Sequence, residues 1–291
     1  MKARQRTAVV TGAGAGIGRA IARRLAADGA QVFVNDIVGE RAHAVAGEIG
    51  EGGGMASAVP GDMTCRDDVQ RLFGSVEETA GKLDILVTQA GIVSDPDLYG
   101  VPEALDAESW AALRKDDDTL ALGAFVRPDD FDRMVRNNLH STYYCCSAAV
   151  PLMRKAGGGR IVTMSAAGGG ISSHFSPPYG IAKGAVVGLT RALARRFLPE
   201  QIVVNCIAQG FIDAGVWARF AEDYPELWER DWEVVEECGS RTVRTTPANR
   251  LPVQRLGKPE EVAGLVAFLV SDDAAYLVGQ TINLSGGVLI P

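Results

Sequence analysis

The stretch Arg6-Thr-Ala-Val-Val-Thr-Gly-Ala-Gly-Ala-Gly-Ile-Gly18 determines how the rest of the chain is interpreted. Its first half is a short β-branched apolar run, which is typical of a strand buried on both faces of a sheet. Its second half is a glycine turn, and a helical pattern with Ile21 and Leu25 on the inner face follows. A strand, a glycine turn and a helix N-terminus together bind phosphate groups, because backbone N–H groups and the positive helix end face the anion.

Further strands extend this unit into a sheet. The second predicted strand, 31–36, ends at Asp36, a position that reaches the adenosine ribose in a βαβ nucleotide site. Other apolar runs predict strands at 56–59, 84–87, 160–164 and 202–208, with helical patterns between them. Because strands and helices alternate throughout, we expect an α/β fold: one doubly wound parallel sheet of the Rossmann type, with residues 1–291 as a single domain.

Composition excludes several classes of partner. The chain has 291 residues, 47% of them hydrophobic, and a formal net charge of −7 with acidic and basic residues intermixed. This argues against nucleic acid or an anionic membrane as the main partner. No apolar run approaches the roughly 18 residues of a membrane span. The five cysteines have no metal-ligand spacing, so we expect reduced thiols, no metal and a cytoplasmic location.

The pair Tyr179 and Lys183 opens a long helical pattern that continues to Phe197. Positions i and i+4 share one face of a helix, so the phenol and the ammonium group lie one turn apart. A free tyrosine titrates near pH 10, and a fixed cation lowers the pKa of the phenol toward the range that acid–base catalysis needs. Tyr-x-x-x-Lys also arises by chance, so an exposed helix turn remains the alternative.

In this order, the motifs resemble those of the short-chain dehydrogenase/reductase family over residues 7–287. The residues that carry the resemblance are the cofactor turn Thr11, Gly12, Gly16 and Gly18, the acids Asp36 and Asp62, Asn138 followed by Leu139, the pair Tyr179 and Lys183, and the runs 255–262 and 285–287.

The resemblance implies an NAD(H)-dependent oxidoreductase that interconverts a secondary alcohol and a ketone. Tyr179 would exchange the proton, Lys183 would hold the nicotinamide ribose and lower the phenol pKa, and Asn138 would position a water joining Lys183 to solvent. Asp36 would accept from both ribose hydroxyls and repel a 2′-phosphate, which favours NAD(H) over NADP(H). The expected cofactor contacts are Gly12, Gly16, Ile17, Gly18, Asp36, Asp62, Met63, Gln89, Ala90, Gly91, Tyr179, Lys183, Gly210 and Ile212. Relatives pair through the helices of Asn138 and Tyr179, so a homodimer or homotetramer is expected.

The catalytic serine has two candidate positions. Ser165 fits a Ser-x-x-Gly pattern through Gly168, and it is the favoured donor to the substrate oxygen. Counting back from Tyr179 without a gap places Ala166 there instead. In that case a replacement donor is needed, for which the candidates are Ser172, Ser173 and His174. Two glutamines also depart from the family pattern: Gln89 replaces an asparagine, and Gln209 replaces a proline.

Two segments are longer than is usual in the family. The segment 95–126 contains a possible extra helix at 102–114, which forms either a wall of the substrate cleft or a surface or subunit contact. The segment 211–252 mixes aromatic residues with acids at helical spacing and predicts an extended helical lid, which favours a fairly large apolar or aromatic substrate. An amphipathic helix packed on a neighbouring subunit is the alternative.

A second class of function competes with the enzyme. The uncertain serine and the two glutamines are also compatible with a catalytically silent NAD-binding subunit or sensor, and a lyase or epimerase on the same scaffold is a third possibility. The retention of Asn138, Tyr179 and Lys183 in order favours the dehydrogenase.

Overall fold

The strands and helices of the sheet are defined over most of the chain. A computed structural model describes residues 6–92, 128–167, 177–215, 235–237, 240–242 and 252–289. In chain order the elements are β1 (Thr7–Thr11), α1 (Gly16–Ala27), β2 (Gln31–Val34), α2 (Gly39–Glu51), β3 (Met55–Ala58), α3 (Arg66–Ala80), β4 (Ile85–Thr88), α4 (Pro128–Val135), α5 (Ser141–Ala156), β5 (Gly159–Ala166), α6 (Pro177–Phe197), β6 (Ile202–Gln209), β7 (Val235–Glu237), β8 (Ser240–Thr242), α7 (Pro259–Leu269) and β9 (Thr281–Leu284).

Seven parallel strands form one sheet in the order β3-β2-β1-β4-β5-β6-β9. The chain starts at the centre with β1, builds outward through β2 and β3, and then crosses to β4 on the other side of β1. The predicted doubly wound α/β fold is therefore confirmed. Such a reversal of strand order opens a crevice at the carboxyl ends of the central strands, where ligands bind in folds of this type.

Each central strand contributes side chains to two separate apolar layers. In β1, Ala8 and Val10 pack in the layer with α1, α2 and α7, whereas Val9 packs in the layer with α3, α5 and α6. All five residues of β1 are buried, as the continuous apolar run predicts for a strand covered on both faces.

The same alternation runs along β5. Val162 and Met164 belong to the layer of α1 and α7, while Ile161 belongs to the opposite layer. Thr163 also faces that opposite layer, because its Oγ1 lies 2.6 Å from Oγ1 of Thr190 on α6. The direction in which each residue at the end of β5 points follows from this alternation.

A π-helical turn, Arg136–His140, joins α4 to α5. One extra residue in a helical turn rotates the side chains that follow, and such insertions are frequent at functional sites. Here Asn138 lies inside the turn and is fully buried, with 0% of its surface exposed.

Several predictions fall on residues outside the described part. These are the segment 95–126 with its possible helix, most of the segment 211–252 with its predicted lid, and the loop residues Ser172, Ser173 and His174. Within the second segment, β7 and β8 pair antiparallel through Val235 and Thr242, so the predicted helix does not include them. None of the helices in the described ranges combines the length and apolar character needed to cross a membrane.

Candidate active site

The glycine turn after β1 leaves the N-terminus of α1 open. Gly12 and Gly16 have φ values of +62° and +50°, a left-handed conformation that glycine adopts without strain. A Cβ at Gly18 would lie 2.0 Å from the Gly12 carbonyl oxygen, so turn and helix approach too closely for a side chain. Ala15, the residue that caps α1, has no polar side chain to pair with the first-turn N–H groups. Those groups are therefore available to a phosphate.

Asp36, after β2, is bound to the glycine turn. Its Oδ2 accepts from the Gly14 N–H at 2.9 Å, and its Oδ1 accepts from the Val38 N–H at 3.0 Å. A Cβ at Gly14 would lie 2.7 Å from the Asp36 carboxyl carbon, so only glycine permits this approach. A carboxylate has about four acceptor sites, so the side chain keeps capacity for further hydroxyl donors.

The loop after β3 is held by a residue that the sequence analysis did not identify. The Asn35 amide donates to the carbonyls of Val59 and Gly61 at 3.0 and 3.1 Å, which ties this loop to β2. Asp62 follows directly, and its Oδ1 accepts from the Thr64 N–H at 2.8 Å. Asn35 had one available signal: it is an amide at the end of an otherwise apolar strand. The neighbouring Met63 is buried in the layer of α3.

The segment after β4 contacts the glycine turn on one side. The Ala90 N–H donates to Thr11 Oγ1 at 3.1 Å, and a Cβ at Gly12 would lie 2.8 Å from the Ala90 Cα atom. On its other side the segment meets Asn138 and Lys183. A Cβ at Gly91 would lie 2.5 Å from Asn138 Oδ1 and 3.6 Å from Lys183 Nζ. Gly91 therefore marks the place where the glycine turn and the predicted catalytic groups converge.

The π-helical turn presents the Asn138 amide to this place. Its Nδ2 donates to the Ile92 carbonyl at 3.0 Å and to the Met134 carbonyl at 3.1 Å. Its Oδ1 is buried and has no hydrogen-bond partner among the residues that the structure describes. Since buried polar atoms are ordinarily paired, this oxygen is suited to accept from a water or a ligand.

Tyr179 and Lys183 lie together on the first turns of α6. They are 9% and 5% exposed, and Lys183 Nζ is 5.7 Å from the centre of the Tyr179 ring. The ammonium group also donates to the Met164 carbonyl at 3.0 Å. Burial lowers the pKa of Lys183 to about 8, and the Cys206 thiol shifts the pKa of Lys183 in the opposite direction. The structure thus brings Asn138, Tyr179 and Lys183 to one site.

Ser165 and Ala166 face opposite ways at the end of β5. The Ser165 hydroxyl is fully buried and donates to the Lys183 carbonyl oxygen at 2.8 Å, on the side of α6. Ala166 instead belongs to a small apolar cluster with Tyr179 and Met134. Consecutive strand residues point to opposite faces, so only one of the two side chains lies next to Tyr179. The favoured contact of Ser165 with the substrate stays a prediction.

At the carboxyl ends of the central strands, four buried polar atoms have no hydrogen-bond partner within the described part of the chain. They are Thr88 Oγ1, Gln89 Oε1, Asn138 Oδ1 and Gln209 Oε1. Gln209 is in register with Ala166 on the neighbouring strand, so both extend from the same face of the sheet. A polar ring with an attached ribose would satisfy such atoms, and the open glycine turn would take its phosphates. These residues therefore fit a nicotinamide dinucleotide.

The last predicted cofactor contacts follow β6. A Cβ at Gly210 would lie 2.7 Å from the Ser285 Cα atom, so this turn packs directly on the end of β9. The Ile212 side chain is buried in the layer of α1 and α7, and the backbone at Ile212 forms an isolated parallel β-bridge with Gly257. Only the backbone of Ile212 is therefore suited to contact a cofactor. Within the described ranges, no group of three or more His, Cys, Asp and Glu side chains is arranged to hold a metal ion.

A Rossmann sheet with an open glycine turn and a buried Asn-Tyr-Lys set defines a nicotinamide-dependent oxidoreductase. Family models agree: residues 6–115 match the model described as short chain dehydrogenase, and residues 121–289 match the model described as enoyl-(acyl carrier protein) reductase. The chain belongs to the short-chain dehydrogenase/reductase family, whose members act on ketone- and alcohol-type substrates.

Individual relatives cover nearly the whole chain. A cis-4-hydroxycyclohexanecarboxylate dehydrogenase of Sinomonas cyclohexanicum is 34% identical over 287 residues, which are 97% of this chain and 96% of the relative. A 3-oxoacyl-(acyl-carrier-protein) reductase FabG of Aquifex aeolicus is 28% identical and covers 99% of each chain. A crystal structure of an actinorhodin polyketide ketoreductase variant with NADPH superposes with a TM-score of 0.76 at 27% identity, over 98% of this chain and 97% of the other.

Proposed function

We propose that this protein is an NAD(H)-dependent oxidoreductase that interconverts a secondary alcohol and a ketone on a fairly large apolar or aromatic substrate. The observation that carries the proposal is the convergence of Asn138, Tyr179 and Lys183 at Gly91, next to the open glycine turn. A protein that only bound the cofactor could use the ammonium group to hold the ribose, but it would have no chemical need for a buried phenol beside that group.

The residues divide the work as follows. When bound, the nicotinamide accepts or supplies the hydride. In alcohol oxidation the Tyr179 phenolate takes the hydroxyl proton, and Lys183, close to the ring, stabilises the negative phenolate. Asn138, through its unpaired Oδ1, holds a water through which the proton leaves the buried site.

Tyr179→Phe tests this assignment. We expect the variant to lose turnover by at least about a thousandfold, because acid–base catalysis and charge stabilisation are removed together. The affinity for NADH, measured by fluorescence titration, is expected to stay close to that of the wild type. Substantial remaining turnover in the variant would remove Tyr179 from the mechanism.

The preference for NAD(H) is supported by charge at the ribose end of the site. Asp36 is nearly buried there, and its carboxylate would oppose a 2′-phosphate. Arg19, the first cation after the glycine turn, donates to Glu48 at 2.9 Å and is thereby neutralised. One similar structure points the other way: the actinorhodin polyketide ketoreductase variant was crystallised with NADPH.

Asp36→Ala and Arg41→Ala separate the two cofactors. The base of the Arg41 side chain lies next to Gly14, since a Cβ on that glycine would lie 2.6 Å from the Arg41 Cβ. If NAD(H) is the cofactor, Asp36→Ala narrows the difference between NADH and NADPH affinity, and Arg41→Ala changes it little. A wild type that binds NADPH more tightly than NADH, with that preference lost in Arg41→Ala, would overturn the assignment.

A cyclic secondary alcohol is the substrate class to test first. One relative is named for a ring alcohol, and the apolar group around Tyr179 consists of Ala166, Met134 and Ile92. Initial rates with NAD⁺ should rise from propan-2-ol to cyclohexanol and its 4-substituted forms, because the ring buries more apolar surface. Higher specificity for the smallest alcohols would contradict this.

The proposed assembly is a homo-oligomer, with a homotetramer as the expected form. A groove of about 550 Å³ runs along the outer faces of α5 and α6 and is lined mainly by apolar side chains, among them Val150, Leu189 and Phe197. Tyr143 at this groove is 49% exposed, which a second copy of the chain would cover. Light scattering coupled to size-exclusion chromatography gives the mass, and a monomer at micromolar concentration would refute the proposal.

The proposed location is the cytoplasm. Cys145, Cys146 and Cys206 are buried free thiols, which is compatible with a reducing compartment. Cell fractionation with compartment markers tests this location.

The alternative of a catalytically silent NAD-binding subunit is favoured by one observation: a methyl group, at Ala166, stands on the substrate side of β5. A full panel of secondary alcohols without turnover, in a protein that binds NADH, would make this alternative the better one.

A further inference from the structure

We propose that Ser165 is a positioning residue, which fixes Lys183 through its backbone and does not contact the substrate. The inference deepens the proposed function and rests on it for the kinetic readouts.

Two hydrogen bonds connect the end of β5 with Lys183 in opposite directions. The Ser165 hydroxyl donates to the Lys183 carbonyl oxygen at 2.8 Å, and the Lys183 ammonium group donates to the Met164 carbonyl oxygen at 3.0 Å. Neighbouring residues of the strand thus hold both the backbone and the side-chain end of a single residue of α6. Loss of the hydroxyl removes the bond that ties this turn of α6 to β5, and only the bond from the ammonium group remains.

Within the described part of the chain, the Ser165 hydroxyl is enclosed and already donates to a protein acceptor. It is fully buried, and it lies on the same side of β5 as the Thr163 hydroxyl, which bonds to Thr190 farther along α6. Ala166, where β5 ends, is the residue that clusters with the Tyr179 side chain, whereas the Ser165 hydroxyl meets the backbone of Lys183 one turn further along α6. Successive side chains of a strand point in opposite directions, so a small shift of the loop after β5 does not bring the Ser165 side chain to the place of the Ala166 side chain.

Position matters for Lys183 because its charge acts over a short distance. In the described part of the chain, the titratable groups that face its ammonium group are Tyr179, on the same helix, and Cys206 on β6. A displacement of α6 moves the cation relative to the Tyr179 phenol and weakens its influence on proton transfer. Misplacement of about 1 Å at such a site lowers turnover by up to about a hundredfold.

The experiment compares Ser165→Ala, Ser165→Thr and the control Thr190→Val in the full-length protein. Thr190 is matched to Ser165 because its buried hydroxyl also donates to a carbonyl of α6, that of Val186, at 2.8 Å. With NAD⁺ and the best alcohol of the panel, we expect Ser165→Ala to lower kcat about tenfold with little change in KM. The midpoint at which the oxidation rate rises with pH should move to higher pH. Ser165→Thr, which keeps a hydroxyl, should have the kcat and the pH midpoint of the wild type. Thr190→Val should change neither kcat nor the pH midpoint.

A second readout does not depend on turnover. Protein labelled with ¹³C at the lysine Cε carbon gives one NMR signal per lysine, and Lys183→Met identifies the signal of Lys183. In Ser165→Ala this signal should titrate at a pH different from that of the wild type, while in Thr190→Val it should not.

The outcomes separate the two proposals. An unchanged Lys183 titration in Ser165→Ala overturns the positioning role, whether or not the enzyme turns over. A large loss of kcat at every pH without movement of the midpoint also overturns it, because that is the behaviour of a direct substrate donor. If the wild type oxidises no alcohol but the Lys183 titration changes in Ser165→Ala, the positioning role is supported and only the proposed function is refuted.

Discussion

Replacing Lys183 by methionine should stabilise the protein while abolishing its activity. Burial lowers the pKa of Lys183 from 10.5 to about 8. At about 1.36 kcal/mol per pH unit, the folded protein is destabilised by about 3 kcal/mol at neutral pH to keep this ammonium group inside. Methionine has a similar length and no charge. It loses the hydrogen bond to the Met164 carbonyl, which costs about 1 kcal/mol, so the net gain is about 2 kcal/mol.

The sign of the pH dependence follows from linkage. Below pH 8, Lys183 is protonated in both the folded and the unfolded protein, and the full penalty is present. Between about pH 8 and 10.5 the unfolded chain binds the proton and the folded protein does not, so the stability of the wild type rises with pH. The advantage of Lys183→Met should therefore be greatest at pH 7 and disappear as the pH approaches 10.5.

Denaturant unfolding of the cofactor-free proteins at pH 7 and pH 9.5 measures this difference, and melting at pH 7 should shift upward by about 4–8 °C. Lys155→Met is the control, because Lys155 is half exposed and pairs with Glu77 at the surface. It should show no comparable gain and no such dependence on pH. A Lys183→Met protein that is no more stable than the wild type at pH 7, or whose gain is constant with pH, would refute the reasoning.

Three further substitutions probe the site. Ala166→Ser adds a hydroxyl on the substrate side of β5, and kcat/KM for ketone reduction should rise about tenfold in steady-state assays; an unchanged or lower value would contradict the assigned direction of this side chain. Gly91→Ala places a methyl group 2.5 Å from Asn138 Oδ1, so turnover should fall at least about tenfold while the melting temperature changes by only a few degrees; wild-type turnover would argue against the convergence of groups at this point. Asn35→Ala removes two hydrogen bonds to the loop before Asp62, and titration should give an NADH affinity about tenfold weaker. An NADH affinity equal to that of the wild type would show that other contacts hold the loop.

Much of the fold follows from features that act over a few residues. The apolar runs of β1 and β4, the glycines at 12, 16 and 18, and the four-residue spacing of Tyr179 and Lys183 each determine local geometry, and the observed elements lie near the predicted positions. The strand order then follows from the rule that connections are short and right-handed.

The sequence could not decide whether Ser165 or Ala166 occupies the position of the catalytic serine. A sequence motif can be aligned with a shift of one residue and still match, whereas in a strand a shift of one residue moves the side chain to the opposite face. Only the register of β5 with β6 and the contact to α6 resolve the direction of the Ser165 hydroxyl. The π-helical turn that buries Asn138 likewise depends on tertiary packing, since nothing in the run Arg136–His140 breaks an ordinary helical pattern.

The bond between Asp36 and the Gly14 N–H has a consequence for protein engineering and for evolution. The carboxylate that we propose to discriminate between cofactors also fixes the shape of the glycine turn, the proposed site of their phosphates. A single exchange of this acid for a neutral or basic residue would thus alter selectivity and loosen the turn in one step, with a loss of affinity for either dinucleotide. A switch of cofactor preference in this lineage requires a second, compensating change near Gly14, and a library that randomises Asp36 alone should yield weak binders more often than switched enzymes.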